Sequence, residues 1–391
     1  MSVTRPAGFR AGSATAGLKA SGRPDIALLV NDGPLDVAAA VFTRNRARAH
    51  PVVWSEQAVR TGTARAVAVN AGNANCYTGP DGFAVTHATA ERVAVLLGTG
   101  EREVGAIDVL VCSTGIIGVP LDLGTVLGGM DDAATSLGDG AEHGAGFAAA
   151  ITTTDTRTKE AVHVDEAGWS IGGAAKGAGM LAPGLATMLV HLTTDAVLTG
   201  SDADAALRAA TAQTFDRLDS DGCMSTNDTV TLMASGASGV TPADGAFAAA
   251  LTAVCHQLAM VLLGDAEGAD HDVAVRVVGA ASEADAVEVG RSVARSALVK
   301  TAIFGRDPNW GRVLAAVGTT AAAFDPLEVD VSVNGVQVCR AGGPGEDRAL
   351  VDLSPRWVDL VVDLHAGRET ATVWTNDLTI AYVHENSAYS S

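Results

Sequence analysis

Short apolar runs alternate with longer alanine-rich segments along most of the chain, and this alternation limits the folds that it can adopt. The short runs are typical of buried β-strands, whereas the longer segments have the spacing of helices. We predict strands at 25–31, 38–42, 64–70 and 108–112, and helices at 87–97, 205–215, 246–263 and 283–298. The sequence therefore predicts an α/β or α+β architecture, in which helices cover mixed sheets.

The C-terminal third contains two further turn signals. Asn334–Gly335 and His365–Gly367 each separate two apolar runs, and Asn-Gly strongly favours a two-residue hairpin turn. The predicted hairpin strands are 327–333 with 336–339, and 357–364 with 369–375. Residues 138–146 are rich in glycine, so we expect a surface loop there.

Composition excludes several classes of protein. Hydrophobic residues make up 48% of the 391, which fits a folded globular protein. Aromatic residues are only 4%, so the core must be packed from Ala, Val, Leu and Ile. The formal net charge is −19 and there are four lysines, which argues against binding to nucleic acid or to an anionic membrane surface.

We expect a cytoplasmic protein. No apolar run approaches the roughly 18 residues of a membrane span, and the five cysteines form no C-x-x-C pair. Free thiols favour a reducing compartment, and this spacing does not predict a zinc site. The first 24 residues are basic like a transit peptide, but they lack an apolar signal core, and we predict a structured first segment.

Familiar catalytic signatures are absent from the sequence. It contains no G-x-S-x-G elbow and no Walker A loop, and its nine histidines are scattered. One segment, 176–189 (KGAGMLAPGLATML), joins a glycine-rich loop to an apolar run that follows Thr187. It has two interpretations: a proline turn before a buried strand, which composition alone favours, or a self-cleaving threonine.

In the second interpretation, the Thr187 hydroxyl attacks the carbonyl carbon of Ala186, and water hydrolyses the resulting ester. Cleavage would leave Thr187 with a free α-amine, whose pKa of about 7.7–8.0 lies near working pH. That amine could serve as the base for its own hydroxyl, so no histidine is needed.

A set of motifs spread over the whole chain resembles the ornithine acetyltransferase (ArgJ) family and favours the threonine interpretation. Besides 176–189, the matching segments are AVFTRNR (40–46), NAGNAN (70–75), CSTGIIG (112–118), TTDT (153–156), DSDGCMSTNDT (219–229), DAEGA (265–269), DPNWGR (307–312), GEDR (345–348) and NDLTIAYVHENSAYSS (376–391). The closeness of several segments indicates an actinobacterial type of member.

The resemblance implies two subunits made from one precursor: an α chain, residues 1–186, and a β chain, residues 187–391. Thr187 would be both the self-cleaving residue and the acyl-transfer nucleophile, and Thr114 and Gly115 match the oxyanion-hole pair. The positions that match substrate-binding residues are Thr153, Lys176, Thr187, Glu267, Asn386 and Ser391. The C-terminal tail would therefore fold back to close the site.

The implied reaction is ping-pong acetyl transfer in arginine biosynthesis, from N²-acetylornithine to Thr187 and then to glutamate. The resemblance implies no metal and no cofactor, and it leaves open whether acetyl-CoA is a second donor. The implied fold is similar to that of self-processing peptidases with an N-terminal nucleophile, in which helical layers enclose sheets. The cleaved chains would associate as an α₂β₂ assembly.

One residue departs from the family pattern: Phe304 stands where many members have histidine before Gly-x-Asp-Pro-Asn-Trp-Gly-Arg. Three other functions remain open. Thr187 could belong to a self-processing hydrolase or aminopeptidase of similar fold, or to an acyltransferase of secondary metabolism. It could also be an ordinary strand residue in a non-catalytic α/β binding protein.

Overall fold

The computed structural model describes residues 2–98, 103–180 and 188–388. Its strands, in chain order, are β1 (Phe9–Ala14), β2 (Ile26–Asn31), β3 (Val37–Phe42), β4 (Ala66–Asn73), β5 (Val109–Ile116), β6 (Lys159–Val164), β7 (Ser170–Lys176), β8 (Leu189–Thr194), β9 (Thr229–Ala234), β10 (Asp272–Ala280), β11 (Asp330–Val333), β12 (Val336–Arg340), β13 (Gly343–Pro344), β14 (Trp357–Asp363) and β15 (Glu369–Asn376).

Its α-helices are α1 (His50–Ala58), α2 (Gly79–Leu97), α3 (Leu123–Thr135), α4 (Ala141–Ala150), α5 (Gly200–Gln213), α6 (Ala246–Leu263), α7 (Glu283–Arg295), α8 (Ala297–Phe304), α9 (Trp310–Val317) and α10 (Ile380–Ala388). Short 3₁₀ turns occur at Val59–Thr61, Ala106–Asp108, Phe215–Arg217 and Arg348–Leu350.

Within the described residues, the strands form three sheets. A five-stranded sheet has the order β3-β9-β8-β7-β6, and a four-stranded sheet has the order β1-β2-β4-β5. A six-stranded sheet, β13-β12-β11-β14-β10-β15, is built from the C-terminal part of the chain. The five-stranded sheet takes β3, β6 and β7 from before residue 187 and β8 and β9 from after it, so the two sides of that position share one sheet.

The five-stranded sheet lies in the middle of four layers. Its β8 residues Val190 and Leu192 share one core with Leu251 and Leu258 of α6. On the opposite side, Leu189 shares a second core with side chains of the four-stranded sheet. Helices α2 and α3 cover the outer face of that sheet. These layers confirm the predicted mixed α/β class, and both faces of the central sheet are removed from solvent.

The six-stranded sheet is built differently. Valines of β10, β11 and β14 pack against α7, α8 and α9 in a separate core. Successive residues of β14 alternate between buried and more exposed positions, as in a strand with one covered face. The predicted hairpin at Asn334–Gly335 forms between β11 and β12.

The second predicted hairpin is wrong. Strands β14 and β15 follow each other in sequence, but both pair with β10, which lies between them, parallel to β14 and antiparallel to β15. A local turn signal at His365–Gly367 contains no information about a partner strand, β10, whose residues precede their β14 partners by 85 positions in the sequence (Asp272 with Trp357). The loop expected at 138–146 is also wrong in part, because α4 begins at Ala141.

The expectation that no apolar run approaches membrane length needs correction. Helix α6 has 18 residues and is long and apolar enough to cross a membrane by length and composition alone. It packs against α5, β6 and β7, and its buried face includes Leu251, Val254 and Leu258. In this structure α6 is thus a core helix of the central layers.

Candidate active site

The two residues expected to form the oxyanion hole lie at the end of β5. Thr114 is buried, and Gly115 has a φ of +125°. A Cβ atom on Gly115 would lie 2.3 Å from the carbonyl carbon of Gly72 on the neighbouring strand β4. Only glycine fits this close approach and this backbone conformation, so the sequence Thr-Gly fixes both a hydroxyl and a backbone N–H at the strand end.

Lys176 is the last residue of β7 and brings two of the predicted residues together. Its ammonium donates hydrogen bonds to the hydroxyls of Thr153, at 2.7 Å, and Thr114, at 3.3 Å. Its side chain is fully buried. Burial lowers the pKa of Lys176, and the nearby carboxylate of Asp155 opposes that effect. Three residues from separate parts of the sequence thus meet at one buried cation.

A buried chain of charges holds Lys176 in place. Asp155 lies 3.9 Å from its ammonium and accepts hydrogen bonds from the Lys159 ammonium at 2.5 Å and the Gly177 backbone N–H at 2.6 Å. Lys159 in turn donates to Asp265 at 2.5 Å. Burial by itself would raise the pKa of Asp155, but Lys176 and Lys159 outweigh it and lower the pKa to about 2.

Sequence reasoning missed this chain of charges. Asp155 and Asp265 occur inside the family-like segments 153–156 and 265–269, but Lys159 lies outside every one of them. The signal available in the sequence was the rarity of lysine. The chain has only four lysines, Lys19, Lys159, Lys176 and Lys300, and all four are buried.

The first described residue after Thr187 is also held by a carboxylate. The Met188 backbone N–H donates to Asp228 at 3.0 Å, and Lys176 lies opposite Leu189 in the sheet. Asp228 is fully buried, and among the described residues its second carboxyl oxygen has no hydrogen-bond partner. Burial raises the pKa of Asp228 well above its usual value. The residues that follow Thr187 in the chain, Met188 and Leu189, therefore lie beside Asp228 and Lys176 respectively.

Asn227 fixes the position of this strand relative to the oxyanion-hole residues. Its side-chain amide donates to the carbonyl oxygens of Ala74, at 2.6 Å, and Ser113, at 2.9 Å. The contact joins three family-like segments, 70–75, 112–118 and 219–229. It explains how residues so distant in sequence converge, and it was also missed at the sequence level.

Glu267 lies on the other side of the loop that follows β7. Its backbone N–H donates to the carbonyl oxygen of Ala178, at 2.9 Å. A Cβ on Gly179 would meet the Glu267 carboxylate at 2.6 Å, so the glycine lets the loop pass beside it. Glu267 lines a cavity of about 360 Å³ together with Asp221 and Tyr382. Burial and these two carboxylates raise the pKa of Tyr382 to about 12.

The remaining predicted positions are less well placed by the structure. Asn386 is exposed on α10 and donates to the carbonyl oxygen of Tyr382, one turn earlier, at 3.0 Å. It does not contribute to the described lining of the Glu267 cavity, although Tyr382 on the same helix does. Ala186, Thr187 and Ser391 lie outside the described residues.

Chemically, the arrangement suits an amino-acid substrate. A buried ammonium can bind a carboxylate, and a hydroxyl with a backbone N–H can stabilise an oxyanion. In residues 2–98, 103–180 and 188–388, no group of three His, Cys, Asp or Glu side chains is arranged to hold a metal ion.

Comparison with known proteins gives the family. The ArgJ family model matches residues 10–391. "Arginine biosynthesis bifunctional protein ArgJ" of Streptomyces coelicolor is 59% identical over 392 residues, covering 100% of both chains. The protein of the same name from Streptomyces avermitilis is 60% identical, again over 100% of both chains.

Among solved structures, ornithine acetyltransferase of Mycobacterium tuberculosis, determined in complex with ornithine, is 48% identical. The match covers 48% of this chain and 96% of that one, with a TM-score of 0.46. The predicted family, its actinobacterial type and the predicted class of arginine-biosynthesis acetyltransferase are confirmed by the full-length relatives. This chain belongs to the ArgJ family.

Proposed function

We propose that this enzyme transfers an acetyl group from N²-acetylornithine to glutamate through Thr187. The observation that carries the proposal is the buried ammonium of Lys176, which is bonded to the hydroxyls of Thr114 and Thr153 beside the strand that begins just after Thr187. We also propose acetyl-CoA as a second donor, since the full-length relatives are named bifunctional.

The first step is cleavage of the precursor between Ala186 and Thr187. The Thr187 hydroxyl oxygen attacks the Ala186 carbonyl carbon, and the acyl group moves from nitrogen to oxygen. Water then hydrolyses the ester, which releases the Ala186 carboxylate and the free α-amine of Thr187. Residues 1–186 and 187–391 are the expected subunits, and the shared five-stranded sheet supports their continued association.

In the transfer reaction, the α-amine of Thr187 takes the proton of the Thr187 hydroxyl as the hydroxyl attacks the acetyl carbonyl. The carbon–nitrogen bond breaks, ornithine leaves with that proton on its amine, and Thr187 carries an acetyl ester. The amine of glutamate then attacks the ester, giving N-acetylglutamate and restoring the hydroxyl. Each tetrahedral intermediate places its oxyanion near Thr114 and Gly115.

The Lys176–Thr114 hydrogen bond supports this assignment of the oxyanion hole. Thr114 accepts from Lys176, so its own hydroxyl hydrogen remains free to point at a developing oxyanion. A nearby ammonium makes that hydroxyl a stronger donor, because charge-assisted networks polarise one another. The Gly115 N–H is the second donor.

Substrate recognition follows from charge. We assign the carboxylate of ornithine or glutamate to Lys176 and Thr153, and the side-chain ammonium of ornithine to Glu267. Asn386 and Ser391 would close the site from the C-terminal tail, which requires a different placement of the exposed Asn386 side chain when substrate is bound. An α₂β₂ assembly and a cytoplasmic location are further parts of the proposal.

Intact mass spectrometry tests the proposal directly. The purified protein should give two fragments that end and begin at Ala186 and Thr187, whereas Thr187→Ala should remain one chain. After mixing with N²-acetylornithine alone, the fragment that begins at Thr187 should gain the mass of one acetyl group, and glutamate should remove it. Cleavage without acetylation would refute the transferase.

The same experiment separates the hydrolase alternative. A hydrolase would release ornithine continuously in the absence of glutamate, whereas the transferase should release about one equivalent and then stop, because covalent intermediates of this kind accumulate in a burst. Replacing glutamate by other amino acids would test whether the acceptor differs, as expected for an acyltransferase of secondary metabolism.

A further inference from the structure

Two large cavities share lining residues with each other, and one of them also shares a lining residue with the Glu267 cavity. One, of about 800 Å³, lies against β3, and the other, of about 640 Å³, lies beside α7. Arg44 and Asp216 line both of them, and Arg295 lines both the second one and the Glu267 cavity. We call the two large cavities together the arginine groove; its lining meets that of the Glu267 cavity at Arg295.

The arginine groove concentrates positive charge in an acidic protein. Its described lining contains seven of the chain's 26 basic residues: Arg44, Arg48, Arg60, Arg208, Arg217, Arg291 and Arg295. The same lining contains five carboxylates, so it is net positive although the whole chain has a formal charge of −19. Such a reversal of sign in a cleft attracts anions.

Several of these charges are incompletely neutralised. Among the described residues, Arg60 makes no ion pair or side-chain hydrogen bond, and Arg44 reaches Asp216 only at 3.6 Å. The Nε atom of Arg291 is buried with no hydrogen-bond partner in the described part of the chain. Burial also lowers the pKa of Arg291, as expected for a charge that lacks sufficient compensation.

The groove begins at the catalytic end of the central sheet. Phe42 at the end of β3 lies opposite Thr229, and Thr229 lies opposite Leu189, two residues after Thr187. Two strand spacings place Phe42 about 10 Å from the strand that follows Thr187, and Arg44 lies two residues after Phe42. The segment is held there by the Asn45 side chain, which donates to the Met224 carbonyl oxygen at 2.8 Å.

We propose that the arginine groove binds the phosphate groups of acetyl-CoA and that the pantetheine arm runs from it to Thr187. This rests on the proposed function, in which acetyl-CoA is a second donor. The planar guanidinium of arginine can donate two parallel hydrogen bonds to phosphate oxygens. N²-acetylornithine carries no phosphate, so it is not expected to bind in the groove. The Thr187 hydroxyl oxygen attacks the thioester carbonyl, the carbon–sulfur bond breaks, and the thiol leaves with the hydroxyl proton by way of the α-amine.

Donor-selective kinetics test the groove. Arg44→Glu and Arg60→Glu should each raise the KM for acetyl-CoA by about tenfold or more, the effect of losing a charge-assisted contact. The KM and kcat with N²-acetylornithine should stay within twofold, which also reports correct folding. Arg276→Glu is the matched control, because it makes the same charge change on the six-stranded sheet, away from the groove.

A second measurement uses 3′,5′-ADP, the phosphorylated end of coenzyme A, as the probe. It should compete with acetyl-CoA in the wild type, compete less well in Arg44→Glu, and leave the N²-acetylornithine reaction unaffected. If Arg44→Glu and Arg60→Glu weakened the reactions of acetyl-CoA and N²-acetylornithine equally, or weakened neither, the proposed role of the groove would be overturned. A wild type that uses N²-acetylornithine but not acetyl-CoA would also overturn it while leaving the ornithine reaction standing. Failure of cleavage and of both reactions would instead refute the proposed function.

Discussion

The five-stranded and six-stranded sheets differ in how completely they are covered. Every residue of β8 and β9 is buried, because layers pack on both faces of the central sheet. On the six-stranded sheet, β14 alternates between buried and more exposed residues. Polar side chains at the central sheet are therefore cut off from water, and their charges and hydrogen bonds must be satisfied inside the protein.

The ion pairs show the consequence. Lys159 is fully buried between Asp155 and Asp265, and this cluster positions Lys176 beside Thr114. On the six-stranded sheet, Arg276 and Asp359 form a pair whose side chains are 48% and 36% exposed. An ion pair thus holds the Lys176 side chain in place at the central sheet, whereas an ion pair of the same kind on the six-stranded sheet is exposed to solvent.

The largest expected effect comes from breaking the buried cluster. Lys159→Met leaves Asp155 and Asp265 buried without their shared cation, which should lower the free energy of unfolding by about 3–5 kcal/mol. Arg276→Met, the matched control, should cost about 1 kcal/mol or less. Denaturant unfolding in the uncleaved Thr187→Ala chain measures both. Similar losses for the two variants would contradict the comparison between the sheets.

Beside the central sheet, removing either of the two hydroxyls that are bonded to the Lys176 ammonium should have a different effect. Thr114→Val removes an oxyanion donor and should lower kcat by about 10²–10³ with little change in KM. Thr153→Val removes a partner of Lys176 and should mainly raise the KM for N²-acetylornithine. Steady-state kinetics on the cleaved enzyme separate the two, and a matching KM effect in both variants would mean that Thr114 only positions Lys176.

Sequence patterns predicted local structure well and long-range pairing poorly. Helix α6 and the Asn334–Gly335 hairpin depend on neighbouring residues, and both form where they were expected. The order β14-β10-β15 depends on a strand distant in sequence, and periodicity contains no such information.

The same limit applies to the candidate site. Family-like motifs indicated Thr114, Thr153 and Lys176, which the structure brings together. They did not indicate that Lys159 orients Asp155 and Asp265, because a lysine in a strand is normally expected to be exposed to solvent. Its function follows from burial, which depends on the packing of all the layers around it.

Acid should affect the central sheet through His191, which lies on β8 and bonds to Thr231 at 2.9 Å. Burial lowers its pKa from 6.5 to about 3, so it stays neutral in the folded chain while the unfolded chain takes up a proton below pH 6.5. The stability that it provides is present above pH 6.5 and is lost as the pH falls toward 3.

We expect roughly 1–2 kcal/mol of this loss between pH 6.5 and 5, since one pKa unit corresponds to about 1.4 kcal/mol. His191→Asn should flatten the slope of unfolding free energy against pH over that range, whatever its effect at pH 7. Denaturant titrations at several pH values in the Thr187→Ala background measure the slope. An unchanged slope would show that His191 is not the titrating group.

The smallest effect, and one of opposite sign, is expected at His365 on the side of the six-stranded sheet. A hydrogen bond to Asp330, with Asp363 nearby, raises the pKa of His365, so its stabilisation is complete below pH 6.5 and is lost as the pH rises through the raised value. Its side chain is 44% exposed, and solvent screening should keep the contribution well below about 1 kcal/mol. His365→Asn tolerates the positive φ of this position and should remove a shallow loss of stability above pH 6.5. If the pH dependence of the unfolding free energy due to His365 had the same size or the same sign as that due to His191, burial by the layers would not explain the difference between the two sheets.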